Sequence, residues 1–67
     1  MYILEHFSDS KLISNLFAFD SNELRTNKAK MIKKMNKHDK LYVCELNDNY
    51  TQERVICVIE KLTKRSL

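Results

Sequence analysis

The sequence contains neither glycine nor proline, and this absence excludes whole classes of function. Glycine forms the tight backbone turns of phosphate-binding loops, so neither a P-loop nor a dinucleotide-binding fingerprint is present. Without glycine, asparagine and aspartate must occupy the positions that need a positive φ angle. The same absence favours helices over glycine-rich β-barrels.

Cysteine and histidine are also scarce, with two of each. Cys44 and Cys57 each lie in an apolar run, where a thiol is typically a packed small side chain rather than a reactive thiolate. Neither cysteine shows the close spacing to His6 or His38 that a structural zinc motif requires. We therefore expect no catalytic site, no metal and no cofactor. Two cysteines are too few for a disulfide framework, which makes a reducing cytoplasm the expected location.

Long apolar runs are missing too, since none approaches the ~18 residues of a membrane-spanning helix. Glu5 lies where a signal peptide would be basic, so no membrane partner is expected. A chain of 67 residues predicts one small domain over 1–67. Such a domain buries only about 60% of the surface of its extended chain. Homodimerisation is therefore expected as a further source of stability.

The positive charge is concentrated in one stretch of the chain. Residues 25–40 contain seven basic side chains and one acidic one, a net charge of +6, whereas the whole chain carries +3. Asp20 precedes this stretch as a helix N-cap, and Glu23 follows three residues later in the pattern of a capping box. The interior is rich in good helix formers. These features predict a basic helix over about 21–37.

The predicted basic helix has two different sides at 100° per residue. Leu24, Met31 and Met35 share one side, which predicts attachment to a core. The lysines on the other side have little compensating acid, and a polyanion would relieve their mutual repulsion. The candidate nucleic-acid-binding residues are the cations and the polar side chains at the N-terminal end: Asn22, Arg25, Thr26, Asn27, Lys30, Lys33, Lys34, Lys37 and Lys40.

In this hypothesis the cations contact phosphates and the polar N-terminal residues contact base edges. The sequence thus predicts a small, non-enzymatic regulatory protein that binds DNA or RNA. The alternative is a stoichiometric inhibitor or adaptor, of the type used by phages, mobile elements and bacteria, that docks on an acidic surface of a host protein. In that alternative, aromatic positions such as Tyr2, Tyr42 and Tyr50 would matter more than the lysines.

The other patterns predict a mainly α fold, with a small α+β fold as the alternative. The apolar residues of 9–18 recur at helical spacing after an N-cap at Ser8, which predicts a first helix that forms a hairpin with the basic helix. A DNA-binding helix-turn-helix is the less favoured version of this hairpin, because the turn lacks a glycine or other small residue.

The C-terminal part predicts a short strand at 41–46, because Tyr, Val and Cys dominate this segment. The next apolar run, 53–60, fits both a helix and a strand. A capping box that begins at Asn49 and cations near the C-terminus favour a helix over about 50–65. The alternative is a strand paired with 41–46. Pairing of residues 2–5 with 41–46 would make the fold class α+β.

Overall fold

The computed structural model describes residues 1–49 and 51–62, which form a four-stranded antiparallel sheet and a single helix. In chain order the elements are β1 (Tyr2–Ser8), β2 (Lys11–Ala18), α1 (Ser21–Lys34), β3 (Lys40–Leu46) and β4 (Gln52–Glu60). The strand order is β2-β1-β3-β4, and each neighbouring pair is antiparallel. The predicted mainly α fold, with its two-helix hairpin, is therefore wrong.

A tight turn and β2 occupy the segment 9–18 assigned above to a first helix. Asp9 and Ser10 form the two-residue turn between β1 and β2, with φ angles of 52° and 65°. Positive φ at both central residues is the pattern of a type I′ turn, whose twist matches that of the flanking strands. Aspartate and serine thus form a tight hairpin without glycine. A helix-turn-helix is excluded, because its first helix is a strand.

Cross-strand pairing explains why this apolar segment forms a strand. Leu16 lies opposite Leu4, and Phe17 lies opposite Ile3. Pairs of large apolar side chains across two strands contribute roughly 0.2–1 kcal/mol each. If the same residues formed a helix, their neighbours within the helix would not supply these cross-strand partners. Tertiary pairing therefore overrides the helical pattern.

β4 replaces the predicted C-terminal helix over 50–65, and the alternative of a strand paired with β3 is the observed arrangement. The terminal cation Lys61 instead acts on α1, because its Nζ donates a hydrogen bond to the Ile32 carbonyl oxygen at 2.7 Å. A cation at a helix C-terminus is favoured by the helix dipole. Lys64 and Arg65 lie outside the described residues.

β3 confirms the predicted strand at 41–46 and begins one residue earlier, at Lys40. It pairs with β1 on one side and with β4 on the other. The pairing of β1 with β3 includes residues 2–5, as the α+β alternative requires. β1 and β3 are therefore the two central strands of the sheet.

α1 confirms the predicted basic helix, although it ends at Lys34 rather than near residue 37. The N-cap is the predicted one, since the Asp20 Oδ1 atom accepts a hydrogen bond from the Glu23 backbone N–H at 2.8 Å. Glu23 completes the box one residue further back, where its Oε1 accepts from the Phe19 backbone N–H at 2.6 Å. Among the described residues, no helix has the length and apolar character needed to cross a bilayer.

α1 packs on one face of the sheet, and the core lies between the two layers. Leu4, Leu41 and Val43 project from the central strands towards Met31 and Met35 at the inner side of α1. The three strand residues are at most 1% exposed. Because successive strand residues face opposite sides, their neighbours in β1 and β3 face away from α1. The fold is thus one helix layer on one sheet layer.

Candidate functional site

The basic surface is the outward side of α1 and the segment just beyond it. It consists of the exposed residues Asn22, Arg25, Thr26, Lys30, Lys33, Lys34 and Lys37. Among the side chains that the structure describes, none of these cations has an acidic partner within 4.0 Å. Cations without an acidic partner remain available to a polyanion. The basic surface therefore brings together most of the predicted site residues.

Asn27 is separated from the basic surface because it faces the sheet. Its side chain is buried, and its Nδ2 donates a hydrogen bond to the Phe17 carbonyl oxygen at 2.8 Å. This bond ties the middle of α1 to the end of β2. The Asn27 amide is therefore a positioning group for the helix and does not face a ligand on the basic surface.

Lys40 is separated as well, because it lies on the opposite side of the sheet. It shares a face of β3 with Tyr42 and Cys44, whereas Leu41 and Val43 face α1. Successive residues of a strand point to opposite faces, so Lys40 faces away from α1. Lys40 is therefore not part of the basic surface.

A buried hydrogen-bonded pair, His6 and Asp39, holds the chain that follows α1 against the sheet. His6 Nε2 and Asp39 Oδ2 are 2.8 Å apart, and both residues are buried. The Asn36 backbone N–H also donates to Asp39 Oδ2, at 2.9 Å. Burial alone would raise the pKa of Asp39, but hydrogen bonds from His6, Asn36 and Ser8 outweigh burial and hold that pKa below its ordinary value. His6 is thus a structural residue of the core edge.

The cysteines and histidines show no arrangement that activates a nucleophile. Cys44 is 1% exposed. Burial, together with nearby Glu5 and Cys57, raises the pKa of the Cys44 thiol, which disfavours the reactive thiolate. In the described part of the chain, no three His, Cys, Asp or Glu side chains cluster as a metal ion requires. Cys44 therefore serves as a packing residue.

The open face is the side of the sheet opposite α1, which no described element covers. The register of the four strands places on it Ile3, Glu5, Phe7, Leu12, Asn15, Phe17, Lys40, Tyr42, Cys44, Leu46, Val55, Val58 and Glu60. The predicted helices concealed this surface, since β2 and β4 contribute half of its strands. The sequence did contain an indication of this surface. Odd- and even-numbered positions of these strands both carry apolar residues, which is typical of strands covered on both faces.

The outer strands of the open face, β2 and β4, carry accessible apolar side chains, whereas Ile3, Cys44 and Leu46 on the central strands are buried. Phe7 and Tyr42 pack edge to face, with ring centroids 5.2 Å apart. A shallow cavity of about 570 Å³ lies beside them, and its lining includes Cys44 and Val55. The large apolar side chains that remain about half exposed here are Leu12, Phe17, Val55 and Val58.

The charged groups of the open face are few and of mixed sign. Lys40 is accompanied by Glu5 and Glu60, and the Glu60 Oε2 atom is 3.2 Å from His38 Nδ1. Such a surface lacks the clustered positive charge of the basic surface. Of the tyrosines considered for protein binding, Tyr42 lies on the open face and Tyr2 packs against the core, whereas Tyr50 lies outside the described residues.

No family model, curated protein sequence or solved structure matches this chain. Its function is therefore inferred from the chemistry of its own two surfaces. The basic surface offers exposed cations on a capped helix, and the open face offers apolar side chains on a sheet. Because the two surfaces lie on opposite sides of the molecule, a ligand of one leaves the other free.

Proposed function

We propose that this protein is a small, non-enzymatic regulatory protein that binds nucleic acid through the basic surface. The observation that carries the proposal is the group of exposed cations on the outward side of α1 with no acidic partner among the described side chains. Each phosphate that such a cation neutralises releases counterions, which drives association with any polyanion. The free thiols of Cys44 and Cys57 fit a regulator that acts in the reducing cytoplasm.

The shape of the helix layer supports the same proposal. α1 has 14 residues, which corresponds to a length of about 21 Å. It is the one described element on its side of the sheet, so a duplex can approach its full length. Arg25 and the lysines would contact phosphates. Asn22 and Thr26, at the N-terminal end, would reach base edges if that end entered a major groove about 12 Å wide.

A fluorescence-anisotropy titration at several salt concentrations tests the proposal, with labelled duplex DNA in one arm and single-stranded RNA in the other. The variant Lys30→Gln/Lys33→Gln removes two cations from the basic surface. Its matched control, Lys11→Gln/Lys40→Gln, removes two exposed cations that lie elsewhere on the sheet. Both double variants lower the net charge by the same amount.

The proposal expects affinity that falls steeply with salt, by about 0.9 log units per log unit of salt for each neutralised phosphate of duplex DNA. The helix variant should reduce this slope by about two, and the control should leave it nearly unchanged. An affinity independent of salt, or equal losses in both variants, would overturn the proposal. Absence of nucleic-acid binding together with binding to polyglutamate would favour the alternative, an inhibitor or adaptor that docks on an acidic host protein.

A further inference from the structure

We propose that two copies of this chain associate through their open faces, about a two-fold axis that runs parallel to the strands between β1 and β3. Each apolar face of a sheet is buried by packing against another layer. In the described residues α1 covers one face, and the open face has no such layer. Three observations, on area, on apolar rows and on a central carboxylate, support a second copy as its occupant.

The area of the open face is close to the smallest that a specific dimer interface uses. Four strands about 4.8 Å apart, extending about 20 Å along their length, give a projected area of roughly 400 Å². With the relief of the side chains, two such faces would bury on the order of 1,100 Å² in total, near the lower limit for specific interfaces. The half of this area that one copy contributes is about a tenth of its 5085 Å² accessible surface, the fraction typical of a small protein.

The register of the sheet makes the apolar part of the open face self-complementary. Phe17, Ile3, Cys44 and Val55 lie at one level across the four strands. The proposed axis superposes this row on its own copy, so that Phe17, which is 48% exposed, lies over the half-exposed Val55 of the second copy. Ile3 and Cys44, in the middle of the row, are already buried within each copy. Val55 lines the cavity of the open face, which gives the Phe17 ring space to enter.

The central carboxylate selects the direction of the axis. Glu5 lies beside Tyr42 at the next level of the sheet. An axis along the strands places Glu5 over Tyr42 of the second copy, whose hydroxyl can donate a hydrogen bond to the carboxylate. An axis across the strands at the level of Glu5 would stack β1 on β1 and bring two Glu5 carboxylates together, and a buried unpaired charge is unfavourable. Aligned sheets also pack within about 30° of each other.

Sedimentation equilibrium of the full chain without nucleic acid, over a wide range of protein concentration, tests this proposal. It is independent of the proposed function, since the two basic surfaces stay exposed on the outer sides of the dimer. Val58→Lys places a charge in the proposed interface. Phe19→Lys is the matched control, because Phe19 is more exposed than Val58 (71% against 48%) and lies between β2 and α1. Circular dichroism establishes that each variant is folded.

We expect the wild type to dimerise, Val58→Lys to raise the dissociation constant about a hundredfold or more, and Phe19→Lys to leave it unchanged. Val55→Lys replaces Val58→Lys if the latter is unfolded. A wild type that is monomeric at every concentration, or a dimer that tolerates both open-face variants, would overturn the interface.

Tyr42→Phe tests the axis, because it keeps the ring that packs on Phe7 and removes only the hydroxyl. We expect about tenfold weaker dimerisation, the effect of one hydrogen bond to a charged group. Unchanged dimerisation of Tyr42→Phe would overturn the contact between Tyr42 and Glu5.

Discussion

The two faces of the sheet come from the same four strands but present opposite surfaces. One face is covered by α1, whose outward side carries the basic surface, and the other is apolar, uncovered and poor in cations. Leu4 and Ile3 are adjacent in the chain but belong to different faces. The overall charge of +3 describes neither face. The location of the charged and apolar side chains in the fold, and not their totals in the sequence, therefore indicates which kind of partner each surface can bind.

Stability should differ most strongly between the two faces. Leu4 is fully buried beneath α1, whereas Val58 is 48% exposed on the open face. In dilute protein, where association is absent, we expect Leu4→Ala to lower the free energy of unfolding by about 2–5 kcal/mol. Val58→Ala should lower it by less than about 1 kcal/mol. Urea denaturation measures both, and equal losses would contradict the division between a covered and an open face.

The buried carboxylate of Asp39, which is hydrogen-bonded to His6, should make the covered side sensitive to acid. Because the folded pKa of Asp39 lies below its ordinary value, the pair stabilises the fold above that ordinary value, and this contribution is lost as pH falls through the lowered pKa. Asp39→Asn should therefore lower stability at neutral pH by about 1.5–3 kcal/mol. It should also flatten the acid limb of a plot of stability against pH.

The matched control for the His6–Asp39 pair is Glu60→Gln, which breaks the exposed contact of Glu60 with His38. Exposed ion pairs contribute about 0–1 kcal/mol. Thermal or urea unfolding measured from neutral to acid pH should show a small, nearly constant effect for this variant. If Glu60→Gln changed the acid limb as much as Asp39→Asn, the pH dependence would not arise from the buried pair.

The N-cap should be a smaller, local source of stability for the helix layer. Asp20→Ala removes the acceptor for the Glu23 backbone N–H. We expect a loss of about 1 kcal/mol in the free energy of unfolding. Asp48→Ala, at an exposed turn residue before β4, controls for the loss of one carboxylate. A similar loss in both variants would argue against capping as the cause.

The smallest effect should come from the basic surface itself. Lys30→Gln/Lys33→Gln should leave stability unchanged or raise it by a few tenths of a kcal/mol, because like charges on one helix repel. Lys61→Gln should instead lower stability by about 0.3–1 kcal/mol, since Lys61 interacts with the C-terminal end of α1. Urea denaturation compares them. A marked loss in the double variant would mean that the lysines serve the fold and not a ligand.

The sequence by itself determined α1 and β3, because their signals are local. Asp20 and Glu23 cap α1 through atoms three or four residues apart, and these contacts need no other element. The cations on the outward side of α1 follow from helical geometry alone, so this part of the candidate site was predictable. The β-branched and aromatic residues of β3 are likewise typical of a strand.

Only the tertiary structure decided β2 and β4, and with them the open face. Both are edge strands whose apolar residues satisfy helical and strand spacing alike, so the choice depends on hydrogen bonds and side-chain partners supplied by β1 and β3. The burial of Asn27 follows from that choice, because its hydrogen-bond partner, Phe17, belongs to β2. The position of Lys40 opposite α1 follows instead from alternation along β3. Contacts between residues distant in sequence form only when the chain has folded, and no local pattern contains them.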